Sequence, residues 1–442
     1  MNAKDVYLVD YVRTPFSRSR PGNRNGSAFS ELRGEQLIAF THRNMFDERL
    51  KGKVEKEEVD EFLLGCSLPI GSNWAYAGRN AIFAGKMPVT IPSIMFDRQC
   101  GSAMAAMHHG MMSIMLGYGD IMLVSGMEHM YKEPMQFGLQ KHWIPPVYLI
   151  QESINGKKNP WYNDKVDVTT ALQMVQTAQK LLEEEATTEK PITREEMDRW
   201  GVRSHELAVK ALKEGYFKDE IIPIMGHKEG DSREPMLIEH DLSIRENTTY
   251  EKTASLSAVS DPGFKGGYKN PVLDRRAYRE VFKSTRGQIT AGNSSPLNAG
   301  AASCLLMNEE AMESHDMKPM VKLISMGWAG VDPSVMGRGP VPASQMALDK
   351  AGMKVDDIDL WEINEAFAVV TLNCMKHFNI PAEKVNLKGG AIAIGHPLGA
   401  SGIRLPCTLA RILNEKKAKY GLANLCCGSG QGVAVIMENV NL

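Results

Sequence analysis

The sequence predicts an α/β fold built as two related halves, each a mixed sheet covered by helices, with a long segment inserted into the first. Three observations carry this expectation. Short apolar runs alternate with helical patterns over both ends of the chain. Between about residues 128 and 296 the texture changes: Pro and Trp interrupt the pattern and charge runs multiply. Finally, Cys100 followed by a helix, a glycine turn and the apolar run Ile121 to Val124 is loosely repeated by His396, a helix, Tyr420-Gly421 and Leu422 to Leu425, as in a duplicated half.

The elements follow in order. Val6 to Tyr11 reads as a strand and about Ser30 to Met45 as a helix; Phe62 to Gly65 is a second strand, with a helix around Arg79 to Ala84. A helix from Ala103 to Leu116 places Cys100 at a helix N-terminus, and Ile121 to Val124 follows as a strand. The insertion contains Trp143-Ile144-Pro145-Pro146, Pro160-Trp161 and Glu183-Glu184-Glu185, the last read as a solvated helix face. The small residues from Thr290 lead into Cys304 to Met307, a strand expected to rejoin the first sheet. A second series then runs through strand Val321 to Ser325, helix Ala343 to Ala351, strand Leu360 to Ile363, and helices Ala366 to Met375 and Ala400 to Leu413. Strands Ala423 to Cys426 and Val433 to Met437 close it. The expected divisions are 1–127 with 297–318 for the first half, 128–296 for the insertion, and 319–442 for the second half.

Composition narrows the function. A chain of 442 residues has material for a large core, and 51 basic against 53 acidic residues leave a formal charge of -2. Neither nucleic acid nor an acidic membrane surface is an expected partner. No apolar run approaches a bilayer span, and the early strand leads us to expect no cleaved targeting segment. Seven cysteines with no paired Cys-x-x-Cys spacings argue against a disulfide framework or a zinc site. Free thiols in a reducing compartment, the cytoplasm, fit better.

Four short segments carry the chemistry. Cys100 in Asp97-Arg98-Gln99-Cys100-Gly101-Ser102 is, taken alone, a weak signal, since a free cysteine is more often a small buried hydrophobe than a nucleophile. Its position before a helix, with Arg98 nearby, would stabilise a thiolate. The helix behind it carries Met104, Met107, Met111, Met112 and Met115, read as core packing and not as a ligand face. His396 lies in a glycine-rich run, Gly389 to Gly402, where Pro397 fixes the turn. A phosphate cradle would want Gly-Lys-Ser/Thr, which is absent. Cys426 ends an apolar strand before Gly428, Gly430 and Gly432, whose backbone N–H groups can serve an oxyanion or simply make a tight turn. Either Cys426 or Cys427 can point inward, since strand neighbours alternate faces. Asn364, between a strand and a helix, is either an N-cap or a catalytic amide.

Together, Arg98 to Ser102, Asn364 to Ala368, Gly395 to Gly402 and Cys426-x-Gly428-x-Gly430-Gln431-Gly432 resemble the active-site motifs of the thiolases, in that family's order. The likeness extends to Arg13 to Phe16, Thr290 to Ser295 and Gly330 to Pro340, and so to nearly the whole chain. It implies a five-layered α-β-α-β-α arrangement of two mixed five-stranded sheets, with an inserted loop domain that holds coenzyme A. It also implies a homodimer or homotetramer. By the resemblance Cys100 takes the acyl group, His396 activates its thiol, and Cys426 moves the proton at the carbon alpha to the acetyl-CoA carbonyl. Asn364, through a water, and His396 hold the enolate; the N–H groups of Cys100 and Gly428 hold the acyl oxyanion; Ser295 lies near the pantetheine. Coenzyme A is a substrate, with no metal and no permanently bound cofactor.

The sequence departs from the family at Lys388 (commonly Asn), Pro296 (Gly), Ala299 (Asp) and Ser429 (Gly), and residues 130–170 do not align with the segment that in the family helps set oligomer contacts and acyl room. Carbon–carbon chemistry between thioesters needs one acyl group held covalently and the other deprotonated, which two thiols and an imidazole supply. A decarboxylating condensing enzyme would replace the second cysteine, and Cys426 argues against it. The remaining rival is a catalytically silent thiolase-like scaffold that only binds acyl-CoA, disfavoured by retention of all four polar groups. Acyl length and reaction direction stay open.

Overall fold

A computed structural model describes residues 3–133, 168–171, 174–259 and 287–442. The first half contributes strands β1 (Val6–Arg13), β2 (Ser17–Arg18), β3 (Glu61–Cys66), β4 (Ser93–Phe96) and β5 (Ile121–His129). The insertion adds a hairpin, β6 (Ile224–Lys228) and β7 (Asp231–Ile238), before β8 (Asn298–Met307) returns. The second half supplies β9 (Val321–Gly330), β10 (Leu360–Ile363), β11 (Tyr420–Cys427) and β12 (Gln431–Glu438).

The order of strands makes the duplication visible. From the middle of the main sheet outward the first half runs β1, β8, β5, β3, β4, and the second runs β9, β12, β11, β10. Directions match too: β5–β8 and β11–β12 are antiparallel, while β3–β5 and β10–β11 are parallel. As the sequence implied, β8 rejoins the first sheet, pairing with both β1 and β5. The halves are not separate sheets at this junction, because Val6 to Leu8 pair antiparallel with Val321 to Leu323. In the second half the place of β4 is held by one bridge, Trp361 to Val385. Left-handed Asn379 and Asn386, with Pro381 between them, leave no extended run for a full fifth strand.

Eight α-helices of seven or more residues, among the described residues, frame the strands: α1 (Gly34–Asn44), α2 (Arg79–Gly85), α3 (Ser102–Met115), α4 (Met174–Glu185), α5 (Arg194–Lys213), α6 (Pro340–Ala351), α7 (Ala368–Phe378) and α8 (Leu398–Lys416). Three apolar cores separate the layers. One sets Leu37 and Ile38 of α1 against Phe62, Leu64 and Leu305; the central one joins Met104 and Met107 of α3 to Leu63, Ile403, Leu409 and Val433; the third sets Ala347, Val369 and Val370 against Trp361, Leu422 and Ile436. Phe62 and Leu64 face outward while Leu63 faces the centre, the two-residue period of a strand buried on both sides. The result is α-β-α-β-α layering with α3 and α8 in the middle. Fully burying each such side chain contributes about 1.5–3 kcal/mol.

Met104, Met107 and Met111 are buried, so the methionine run is packing, although Met112 is exposed. In the insertion, Thr193 caps α5 by accepting the Glu196 N–H while Glu196 accepts the Thr193 N–H. The acidic run of α4 is not wholly solvated as expected. Glu185 is buried and accepts from Asn373 at 3.0 Å and Lys376 at 2.8 Å, fastening the insertion to α7. The Trp-Pro segments 143–146 and 160–161 lie outside the described residues.

Candidate active site

Strand β4 delivers the chain to Cys100 through a sharp turn. Gln99 takes a left-handed φ of 49°, and the Ser102 hydroxyl stitches the turn by donating to the Gln99 carbonyl at 2.5 Å and accepting the Arg98 N–H at 3.0 Å. Cys100 packs against Met130, Leu297 and Leu398, an apolar collar. Burial pushes its thiol up to about 12, against the pull of the Gly428 and Cys100 N–H groups. The helix terminus therefore does not lower the resting thiol below its usual range. Against the sequence expectation of a stabilised thiolate, burial is the largest influence on this thiol and it raises it.

His396 is fixed from several sides. Gly395 before it has a φ of +117°, and a Cβ there would lie 2.7 Å from the Asn298 side chain. Asn298 Oδ1 accepts the His396 N–H at 2.9 Å, and Glu128 Oε2 accepts the Gly399 N–H at 3.0 Å just beyond. In the ring, Nδ1 lies 2.6 Å from Ser401 Oγ, whose own proton goes to the Pro397 carbonyl at 3.0 Å. Ser401 thus accepts from Nδ1–H, leaving Nε2 as the unprotonated nitrogen, an assignment made from the network. Burial lowers the imidazole to about 3, with Arg404 adding to the effect, so it rests neutral.

Nε2 faces Asn364. Asn364 Nδ2 lies 3.2 Å from it, and Asn364 Oδ1 is buried with no hydrogen-bond partner among the described residues. The N-cap alternative is overturned, since α7 begins after Phe367. An inward-aimed amide with a free acceptor suits a polar ligand or a water.

At the end of β11 the two adjacent thiols take different cores. Cys426 belongs with Phe367 and Ile392, and Cys427 with α3 and Val433. Cys427 Sγ lies against Gly101, where an added Cβ would stand 2.5 Å away. The Cys426 thiol is pushed well up, first by burial and then by Cys100. Gly428 follows beside Gln99, and Ser429 adopts a φ of +62°, the conformation for which the family's glycine is suited. Ser295 is half-buried; its N–H and hydroxyl both donate to the Ala366 carbonyl, at 3.0 and 3.1 Å. Asn364 thus meets His396, Cys100 lies close enough to the Gly428 N–H and to Cys426 for each to bear on a thiol's titration, and Ser295, on the segment leading into β8, is tied to the loop that follows Asn364. Of the departures, Lys388 is buried and pairs with Glu415 at 2.7 Å over the Tyr216 ring, away from the reacting groups.

The residues that hold these groups were not picked out from sequence. Glu128 is buried and accepts from Ser67 and Gly399 N–H and from Asn73; burial raises it to about 7. An acid closing the otherwise apolar run of β5 was its signal. Ser401 stood inside the His396 motif, whereas Asn298 and Glu365 had no distinguishing pattern. Among the described residues no His, Cys, Asp and Glu cluster is disposed to hold a metal.

Two thiols and a neutral imidazole held in a duplicated α/β frame define an acyltransferase that works through thioesters. Family models described as the thiolase N-terminal and C-terminal domains match residues 6–265 and 317–439, and the chain belongs to the thiolase family. It is 38% identical to a 3-ketoacyl-CoA thiolase of Marinobacter nauticus and 38% identical to one of Hahella chejuensis, each alignment covering 100% of both chains. Among solved structures, human mitochondrial 3-ketoacyl-CoA thiolase in complex with CoA matches with a TM-score of 0.77 at 29% identity, over 99% of this chain and 98% of that one. The Bacillus anthracis acetyl-CoA acetyltransferase matches at 0.77 and 30%, over 99% and 100%. The chain is accordingly an enzyme of thiolytic cleavage and its reverse condensation.

Proposed function

We propose that the substrate is a 3-oxoacyl-CoA, cleaved by CoA to acetyl-CoA and a shortened acyl-CoA, and that Cys100, His396, Asn364, Cys426 and Gly428 divide the work. The observation that carries this is the Asn364–His396 pair, with the Asn364 oxygen buried and free of a hydrogen-bond partner among the described residues. His396 Nε2 takes the Cys100 proton as the sulfur attacks the 3-oxo carbon. The bond between carbons two and three then breaks, leaving the acyl group on Cys100 and an acetyl-CoA enolate. The protonated imidazole and the Asn364 amide, through a water, hold the enolate oxygen while Cys426 gives its thiol proton to the carbon. CoA then passes its thiol proton to the Cys426 thiolate and attacks the acyl-enzyme. Cys100 leaves as thiolate and recovers its proton from His396, so every proton is accounted for. The N–H groups of Cys100 and Gly428, both directed at the Cys100 sulfur, serve the oxyanion of the acyl steps.

CoA is a substrate here and no permanent cofactor is needed. Residues 128–296 would hold it, with Ser295 beside the pantetheine, on a frame formed by 1–127 with 297–318 and by 319–442. Among the described residues no helix is long and apolar enough to cross a membrane, and a cytoplasmic enzyme fits the seven free cysteines. A second copy of the chain would pair along β4: its outer edge has no strand partner among the described residues, and Trp74, Tyr76, Phe83, Val89, Ile94 and Met112 are exposed around it.

The test is to incubate the protein with acetoacetyl-CoA and longer 3-oxoacyl-CoA esters plus CoA and to follow acetyl-CoA. Turnover abolished by Cys100→Ala is expected. No turnover of any 3-oxoacyl-CoA by the intact protein would favour the binding scaffold.

A further inference from the structure

Next to Asn364 stands a carboxylate that the chemistry above does not use. Glu365 is fully buried, and both of its oxygens are doubly engaged. Oε1 accepts the Trp200 indole N–H at 3.0 Å and the Asn386 amide at 2.9 Å. Oε2 accepts the Ser204 hydroxyl at 2.6 Å and the Ile392 N–H at 3.1 Å. The four donors come from three places: α5 of the insertion, the loop at Asn386, and the turn that leads to His396. Asn386 in turn brackets Ile363, accepting its N–H and donating to its carbonyl at 2.9 Å each, immediately before Asn364.

The packing is as specific as the hydrogen bonds. A Cβ on Gly390 would stand 2.1 Å from the Glu365 carboxyl carbon, and one on Gly389 would stand 2.5 Å from the Ser204 carbonyl. The Gly390 N–H also donates to Ser204 Oγ at 3.0 Å. A buried carboxylate is costly unless its oxygens are satisfied, so removing any one donor disturbs the remainder.

We infer that Glu365 is a positioning residue that sets the angle of the Asn364 amide and makes it depend on the seating of helix α5 from the insertion. The inference rests on the reading of Asn364 as a holder of the enolate. His396 has independent anchors in Asn298, Ser401 and the Glu128–Gly399 contact. Asn364 has fewer: its own N–H on the Asn424 carbonyl at 3.0 Å, and the neighbouring Glu365. Disturbing Glu365 therefore acts on the enolate half of the reaction and spares acyl transfer to Cys100. Trp200 and Ser204 extend the same control into the segment proposed to carry CoA.

The test compares two rates in each variant: acetylation of Cys100 by acetyl-CoA, read by intact-protein mass spectrometry, and condensation to acetoacetyl-CoA. In Glu365→Gln, acetylation within about twofold of wild type and condensation reduced about 10²-fold are expected, the size of a misplaced catalytic group. Trp200→Phe and Ser204→Ala, which leave the carboxylate in place, should show the same split at about tenfold and keep the assignment testable if Glu365→Gln does not fold. Equal loss of both rates, or no loss of condensation in Trp200→Phe and Ser204→Ala, would overturn it. Failure of the wild-type protein to acetylate or condense would instead defeat the reading of the site.

Discussion

Asn364 Nδ2 lies 3.2 Å from His396 Nε2, and the Asn364 Oδ1 beside it is buried with no hydrogen-bond partner among the described residues. The contact joins the end of β10 to the turn before α8, two elements that meet only because the second half folds as a layered unit. An enolate oxygen placed against this pair would meet the amide on one side and the protonated imidazole on the other.

Asn364→Ala should lower condensation about 10²- to 10³-fold, the cost of removing one fixed oxyanion donor. Acetylation of Cys100 should continue, since the His396 ring keeps Ser401. Stopped-flow acylation beside steady-state condensation measures both; a parallel fall would remove Asn364 from the enolate step.

The Cys100 thiol, pushed up to about 12 by burial, predicts slow alkylation of the free enzyme at neutral pH. The rate with iodoacetamide should climb about tenfold per pH unit through pH 9 without a plateau near 7, because the reactive thiolate is a small, growing fraction. A plateau near pH 7 would show that the helix terminus prevails after all.

Fold stability should fall on acidification below about pH 6.5. His42, His108 and His396 are lowered by burial to about 3, and His129 and His205 to about 4. The unfolded chain, with ordinary imidazoles, binds more protons between these values and about 6.5, so each site adds up to about 1.4 kcal/mol of instability per pH unit lost. Glu128 and Glu362, raised to about 7 and about 8, act in the opposite sense from about pH 4.5 up to about 7 and about 8 respectively, but the histidines outnumber them. Melting temperature recorded from pH 8 to pH 5 checks the sign; a higher value at pH 5 would contradict it.

Ile94→Lys places a charge on the exposed face of β4, whose outer edge is the proposed seam with a second copy. A shift from dimer or tetramer toward monomer in light scattering is expected, with an unchanged far-ultraviolet spectrum. A wild-type protein that is already monomeric would dismiss the β4 edge as an interface.

Much of the fold was legible because it rests on local periodicity. The runs at Val6, Phe62, Ile121, Leu360 and Ala423 became strands, each longer or equal in the structure, because pairing extends a strand past its apolar letters. Cys100, His396, Asn364 and Cys426 were legible because glycines and turns mark where backbone must bend. What the letters could not express were consequences of tertiary burial. Cys100 is hard to ionise because Met130, Leu297 and Leu398 surround it, residues far apart in sequence. Glu185 is buried only because α7 docks on α4. Glu128 and Glu365 matter through donors that arrive from other elements. The reduction of the last strand of the second half to a bridge at Val385 follows from two left-handed asparagines that no apolar pattern reveals.

The division of labour between the sulfurs is the central claim, and Cys426→Ala tests it most directly. Treated with acetyl-CoA and examined by peptide mass spectrometry, this variant should carry one acetyl group on Cys100 and yet form no acetoacetyl-CoA. An unacetylated Cys100, or condensation at the wild-type rate, would contradict separate roles for the two thiols.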